Sequence, residues 1–297
     1  MILNRRQFVL GTGATLATGF GLGGYAFGVE PIFRLDVANY AITPAGWPPD
    51  LELTIAVVAD VHAIDPWMTA RRVAHISSFT NTLCADLVLL AGDYETGLRR
   101  FRRVSRKVPM DDCAEALAII QAPLGVYSVL GNHDMWANGA RDVRRAFAAN
   151  RIPILENQAI RLEKDGKPFW LLGLGDQLSH WYGPLGRRSN DDLPGTLAQV
   201  TDDSPAILLA HEPDIFTEVP DRIALTISGH THGGQVNLPL IGPVVAMEGG
   251  YRYIYGHYRE GRRDLIVSGG LGMSMLPVRF GRPPEVVMIK LGGMASA

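Results

Sequence analysis

Cysteine is nearly absent from this chain of 297 residues: Cys84 and Cys113 are the only two. That excludes a disulfide scaffold and a four-thiolate zinc site, and the helical surroundings of both predict buried thiols. No charge excess exists either. Lys and Arg number 28 against 30 Asp and Glu, a net charge of -2, so the basic footprint of a duplex nucleic-acid binder is missing. Internal repeats and low-complexity blocks are also absent. With 47% hydrophobic and 20% charged residues, the composition excludes disorder and a fibrous repeat. What remains is a globular chain long enough for a sizeable core.

Residues 1–30 stand apart. Asn4-Arg5-Arg6-Gln7-Phe8-Val9-Leu10 precedes an uncharged run from Gly11 to Val29. Paired arginines before a mildly apolar, glycine-rich stretch resemble a bacterial twin-arginine export signal. The run approaches bilayer-spanning length, although its seven glycines weaken it as a helix. No Ala-x-Ala cleavage site precedes Glu30, so a retained membrane anchor is as consistent with the segment as a cleaved signal. The expected location is the inner membrane or periplasm, with the cytoplasmic side left open. Residues 31–52 are expected to connect this segment to a single catalytic domain over 53–292.

Within 53–292, short apolar runs alternate with amphipathic stretches. Leu53–Ala59, Leu87–Leu90 and Gly125–Leu130 read as buried strands. Segments 71–83, 112–120 and 141–149 have helical spacing, with Val73, Ile76, Phe79 and Leu83 on one side of the first. Six further strand-like runs follow, at 160–162, 170–174, 207–210, 225–228, 265–268 and 286–289. Strand–helix alternation followed by mostly strands predicts a layered α/β domain, with one or two sheets flanked by helices.

Five of these strands run straight into polar residues able to bind metal. They end in Asp60-Val61-His62, Gly92-Asp93, Gly131-Asn132-His133-Asp134, His211-Glu212 and Gly229-His230-Thr231-His232-Gly233-Gly234-Gln235. Ligands of open α/β sheets sit at the carboxyl ends of strands, so five such ends can converge on one place. Spacing of two puts Asp60 and His62 on one side of an extended chain, and likewise His230 and His232. Five of the eight histidines fall directly after apolar strands, beside two carboxylates that burial would penalise without compensation. A pair of divalent cations supplies that compensation.

This ordered set resembles the calcineurin-like metallophosphoesterases. It is most similar to the bacterial branch with an N-terminal membrane or export segment, including tail motifs such as Ser268-Gly269-Gly270-Leu271-Gly272 and Leu276-Pro277-Val278-Arg279-Phe280. The resemblance implies a four-layer β-sandwich flanked by helices and a two-metal centre. In that scheme Asp60, His62 and His232 hold one ion, Asn132, His211 and His230 the other, and Asp93 bridges them. The mixed nitrogen and oxygen donors suit Mn, Fe or Zn better than Mg or Ca. His133 stands outside both ligand sets, as a general acid at the leaving-group oxygen or a stabiliser of the charged transition state. Which group orients His133 is left open, with Asp134 and Glu95 as candidates. Where the phosphoprotein phosphatase branch carries an acid and then an arginine, this chain has Thr96 and Gly97, which argues against a protein phosphatase.

The substrate is less legible. Arg99–Arg103 with Arg106 and Lys107 form a basic cluster suited to a second phosphate or an anionic headgroup, or to a solvated helix face. Trp67-Met68, Met135-Trp136 and Trp181-Tyr182 line a pocket or pack. Arg279 is a phosphate contact in one reading. His75, His180 and His257 fit no motif. The leading expectation is a membrane-tethered or exported hydrolase of phosphodiester or pyrophosphate bonds, with a lipid-linked substrate such as the UDP-diacylglucosamine cleaved by related enzymes. That reaction is cytoplasmic, so an exported domain excludes it. The alternatives are an extracytoplasmic phosphomonoesterase and a non-catalytic metal-binding module.

Overall fold

The structure is a computed structural model that describes residues 19–98, 101, 103–138, 140–181, 187–244 and 252–293, with backbone alone for His180, Trp181, Arg187 and Arg188. Two sheets pack face to face. The first contains β1 (Asp36–Ile42), β2 (Leu53–Val58), β3 (Leu87–Leu90), β4 (Val126–Ser128) and, from the far end of the chain, a strand at Glu285–Leu291. The second contains β5 (Gln158–Lys164), β6 (Lys167–Gly173), β7 (Ala206–Leu209), β8 (Leu225–Ser228), β9 (Gly256–Glu260) and β10 (Arg263–Val267), which makes Glu285–Leu291 β11. Their orders are β1-β11-β2-β3-β4 and β9-β10-β8-β7-β6-β5. β2, β3 and β4 run parallel, as do β6, β7, β8 and β10.

Alternation along each strand makes the layers. Ile55 and Val57 of β2 face Phe169, Leu171, Ile207 and Ile227 of the second sheet, forming the core between the sheets. Ala56 and Val58 point the other way, against α1 (Ala70–Thr82), α2 (Met110–Leu117), α3 (Asn132–Trp136) and α4 (Arg141–Ala149). On the outer face of the second sheet, Leu172, Leu208 and Leu265 meet Leu193, Ile215 and Phe216 from two short helical turns. Helices, sheet, sheet and helical turns give the four-layer sandwich.

The sequence misses two edge strands. β1 lies inside the stretch read as a connection and pairs in parallel with β11, while β9 pairs antiparallel with β10. Both are half solvated, with few fully buried positions, so neither shows the apolar run that marks the inner strands. Cys84 is another correction: it is exposed, whereas Cys113 is buried, and both thiols are free. Arg5, Arg6, Arg99, Arg100, Arg102 and Tyr182 lie outside the described residues. The end of the N-terminal segment is helical over 19–33. It packs on the domain through buried Glu30, whose carboxylate accepts from the backbone of Gly281 and Arg282. Among the described residues no helix is long and apolar enough to cross a membrane.

Candidate metal centre

The segments after β2, β3, β4, β7 and β8 meet at one edge of the sandwich. Asp60 N–H donates to Gly92 (3.0 Å) and His62 N–H to Asp93 (2.9 Å), so the first two loops are zipped together. The backbone here is not extended. Asp60, His62, Asp93, His230 and His232 have φ of 53, 44, 58, 71 and 53°. The spacing argument for same-side projection therefore fails, and left-handed turns turn the side chains inward instead. Such conformations cost on the order of 1–3 kcal/mol each and cluster where the surroundings overdetermine them. Gly131 and Gly270 make the approach possible: a Cβ on the first would strike the Asp93 carboxylate, and on the second the Asp60 carboxylate at 2.6 Å.

All seven expected ligands converge. His62 Nδ1 lies 2.7 Å from the Glu95 carbonyl and His211 Nδ1 2.7 Å from that of Ala91. A carbonyl only accepts, so each Nδ1 carries the hydrogen and each Nε2 turns a lone pair inward when the ring is neutral. His62 Nε2 is 3.1 Å from His232 Nε2 and 3.4 Å from Asp93 Oδ2. On the other side, His211 Nε2 is 3.3 Å from the same oxygen and 3.2 Å from Asn132 Oδ1. His230 Nδ1 is 3.0 Å from that amide oxygen. Donor atoms of Asp60, His62 and His232 fall within 4.8 Å of one another, as do those of Asp60, Asp93 and His211. Electron-rich atoms facing one another this closely, with almost no solvent contact, are a donor set for cations.

The electrostatics agree. Burial, then the charge of Asp93, pushes the Asp60 carboxyl up to about 7. Burial acts on Asp93 too, but attraction from His211 overcomes it and holds Asp93 well below the carboxylate range. The pull is mutual: against burial, Asp93 raises His211 well above the usual imidazole value. A proton on His211 thus occupies, in the metal-free protein, the electrostatic place of a cation. Burial, then the neighbouring His62 and Arg279, lowers His232 well below its usual range.

His133 stands beside this set, its ring 4.9 Å from that of His62 and 5.0 Å from that of Trp136. Burial lowers it to about 3, so the ring is neutral. Neither candidate for orienting it does so. The Asp134 carboxylate accepts from the backbone N–H of Asp93, Tyr94, Glu95 and Gly131, and Glu95 pairs with Lys107 at 2.7 Å. The ring is met instead by Ser274 Oγ, 3.1 Å from Nε2. Arg279 is no phosphate contact, because its fully buried guanidinium donates to the carbonyls of Gly269, Gly272 and Arg282. Met68 and Met135 belong to the helix-side core. Trp67 donates to Phe27, His75 is exposed, and His257 pairs with Asp264 at 2.6 Å. The sequence reading missed Ser274 and gave no role to Gln235, the last residue of the Gly229–Gln235 run. It also left Glu212 unassigned, although its carboxylate shares a donor cluster with His211 and His230. Glu212 directly follows His211 and was legible; Ser274 lies in an ordinary loop sequence and was not.

Residues 53–234 match the model of the calcineurin-like phosphoesterase family. The metallophosphoesterase YkuE of Bacillus subtilis is 30% identical over 297 residues, covering 97% of this chain and 98% of its own. Phosphodiesterase YaeI of Escherichia coli is 28% identical over 306 residues, covering 98% and 100%. A dimetal phosphatase from Danio rerio aligns over 76% of this chain and 89% of its own, with a TM-score of 0.39 and 14% identity. With matches along nearly its whole length and donors converged at the strand ends, the chain belongs to the calcineurin-like phosphoesterase family.

Proposed function

We propose that the chain is a two-metal phosphoesterase hydrolysing a phosphodiester or pyrophosphate bond. The observation that carries this reading is the Asp93 carboxylate, with one oxygen within 3.4 Å of His62 Nε2 and 3.3 Å of His211 Nε2, at the junction of two donor clusters. Asp60, His62 and His232 hold one transition ion, of Mn, Fe or Zn; Asn132, His211 and His230 hold the second; Asp93 serves both. When bound, such ions supply Lewis-acid charge for the phosphoryl oxygens and lower the pKa of water. His133 faces the leaving oxygen. From that position it can act as the general acid that gives a proton as the ester bond breaks.

A cavity of about 530 Å³ supports a substrate with a group beyond the phosphoryl. Its walls include Glu95, Thr96, Arg106, Lys107, Trp136 and Asn138, combining an aromatic face with two cations. Exposed Phe20, Phe33, Leu240, Met275 and Leu276 lie on segments tied to the loop of Phe280 or next to Ser274. They support a lipid-linked substrate met at a membrane, toward which the N-terminal segment directs the protein.

Metal content and hydrolysis of an aryl phosphodiester and an aryl phosphomonoester, in Mn²⁺, test the reading. Two ions per chain and a faster diester reaction are expected. Asp93→Asn should lower the content of both ions and cut turnover by on the order of 10³-fold, since several kcal/mol of charge stabilisation depend on them. Full metal content and full rate in that variant would remove the bridging role, and preference for the monoester would favour a phosphomonoesterase. Replacing Arg5 and Arg6 by lysine should keep the protein on the cytoplasmic side. An unchanged distribution across the membrane discards twin-arginine export.

A further inference from the structure

We propose that Ser274, held in place by Gln235, is the positioning residue for His133, an inference that rests on the leaving-group role given to His133 above. Gln235 is fully buried and follows His232 by three residues, so it is fixed to the metal loop. Its side-chain nitrogen donates to the carbonyls of Ser274 (3.1 Å) and Leu276 (3.0 Å), and its oxygen accepts from Ser274 N–H (2.9 Å). Three bonds thus set the main chain on both sides of Ser274. From that position Ser274 Oγ meets His133 Nε2 at 3.1 Å.

The opposite wall is Gly97, which pairs with Ser274 as a β-bridge. A Cβ on Gly97 would come within 2.6 Å of Ser274 Oγ, so a glycine at this position is what lets the hydroxyl reach the ring. A hydroxyl can donate to a neutral Nε2 or accept from a protonated one, so the contact survives a change in the charge of the ring. Nδ1 of His133 is buried and meets no hydrogen-bond partner among the described residues. The Ser274 bond is therefore what fixes the rotation of the ring beside that of His62, 4.9 Å away. Ser274 itself touches no reacting atom.

The test is a double-mutant cycle on the metal-loaded enzyme, comparing an alkyl with a nitrophenyl phosphodiester. Ser274→Ala should lower turnover roughly tenfold for the alkyl ester, as one hydrogen bond to the ring is lost. The nitrophenyl rate should change little, the metal content should stay intact, and Ser274→Thr should restore the alkyl rate. In a His133→Asn background Ser274→Ala should cost nothing further, because residues acting as a unit are not additive. Nitrogen NMR of labelled histidine in the Zn²⁺-loaded protein should show a changed His133 ring in Ser274→Ala. Additive losses, equal losses for both esters, or an unaltered ring would overturn the positioning role. If His133→Asn alone spares the alkyl rate, it is the leaving-group reading that falls. If His133→Asn is slow while Ser274→Ala is normal, only the present inference falls.

Discussion

Two buried side chains, one acidic and one basic, organise the two halves of the metal centre. On the first sheet's side Asp134 collects four backbone N–H groups from the loops after β3 and β4. On the other side Arg279 donates to three backbone carbonyls of the 269–282 loop, with its NH2 3.5 Å from His232 Nδ1. Neither belongs to the proposed ligand set. Loops bent into left-handed turns leave the sheet ladder, and their polar groups need partners that water cannot supply in a buried site. A carboxylate serves where N–H groups point inward, and a guanidinium where carbonyls do. The ligands differ in parallel: the first sheet's loops bring Asp60, Asp93 and Asn132 with His62, whereas the second sheet's loops bring three histidines. The anionic compensation for two cations therefore comes mainly from the half that Asp134 holds together.

That asymmetry predicts unequal damage. Asp134→Asn leaves an amide NH2 facing backbone donors in a site closed to solvent, and each buried donor left unmet costs about 1–3 kcal/mol. Thermal unfolding should show this loss, with both metals bound weakly because Asp93 and Asn132 lie on the released loops. Arg279→Lys is milder. A lysine keeps a cation and three donors but lacks the fixed fork that spans Gly269 and Gly272. A loss of about 1–3 kcal/mol, the cost of leaving charged-group hydrogen bonds unmade, should accompany weaker binding of the ion held by His232 alone. Equal loss of both ions in the two variants would show that the halves are not organised separately.

The converging donors were legible because each follows an apolar strand, where a polar residue has no packing reason to be. The inner strands were legible as short, largely apolar runs, since both of their faces are buried. Edge strands β1 and β9 were not, since a half-solvated strand leaves a weak alternating pattern that connecting segments share. The manner of convergence was also hidden. Spacing of two suggests an extended chain, and only the backbone reveals the left-handed turns at Asp60 and His62. Asp134 looked like an orienter of His133 because it is the adjacent residue, but short helix α3 aims its carboxylate at the loops instead. Ser274 approaches His133 across 141 residues of sequence. Arg279 was one candidate for a phosphate contact; its burial among carbonyls decides otherwise.

The smallest expected effect concerns protons, and it bears on the charge asymmetry directly. In the metal-free protein, burial and the neighbouring Asp93 raise Asp60 to about 7, and attraction to Asp93 raises His211 well above its usual value. Both groups bind cations only after losing their protons. Below the raised pKa a proton must leave as the ion enters, so affinity should fall as pH drops through about 7 and level off above the pKa of each group. Each proton displaced weakens binding about tenfold per pH unit. The two ions should respond differently. The Asp60 ion loses affinity below about 7 and is flat above it, whereas the His211 ion keeps gaining affinity at higher pH because the raised imidazole gives up its proton later. Calorimetric titration with Zn²⁺ between pH 6 and 8.5, in two buffers of different ionisation heat, separates proton release from binding. A pH-independent affinity with no released proton at either step would mean that Asp60 and His211 are already deprotonated in the metal-free protein, and that the centre is preset for cations by another source of charge.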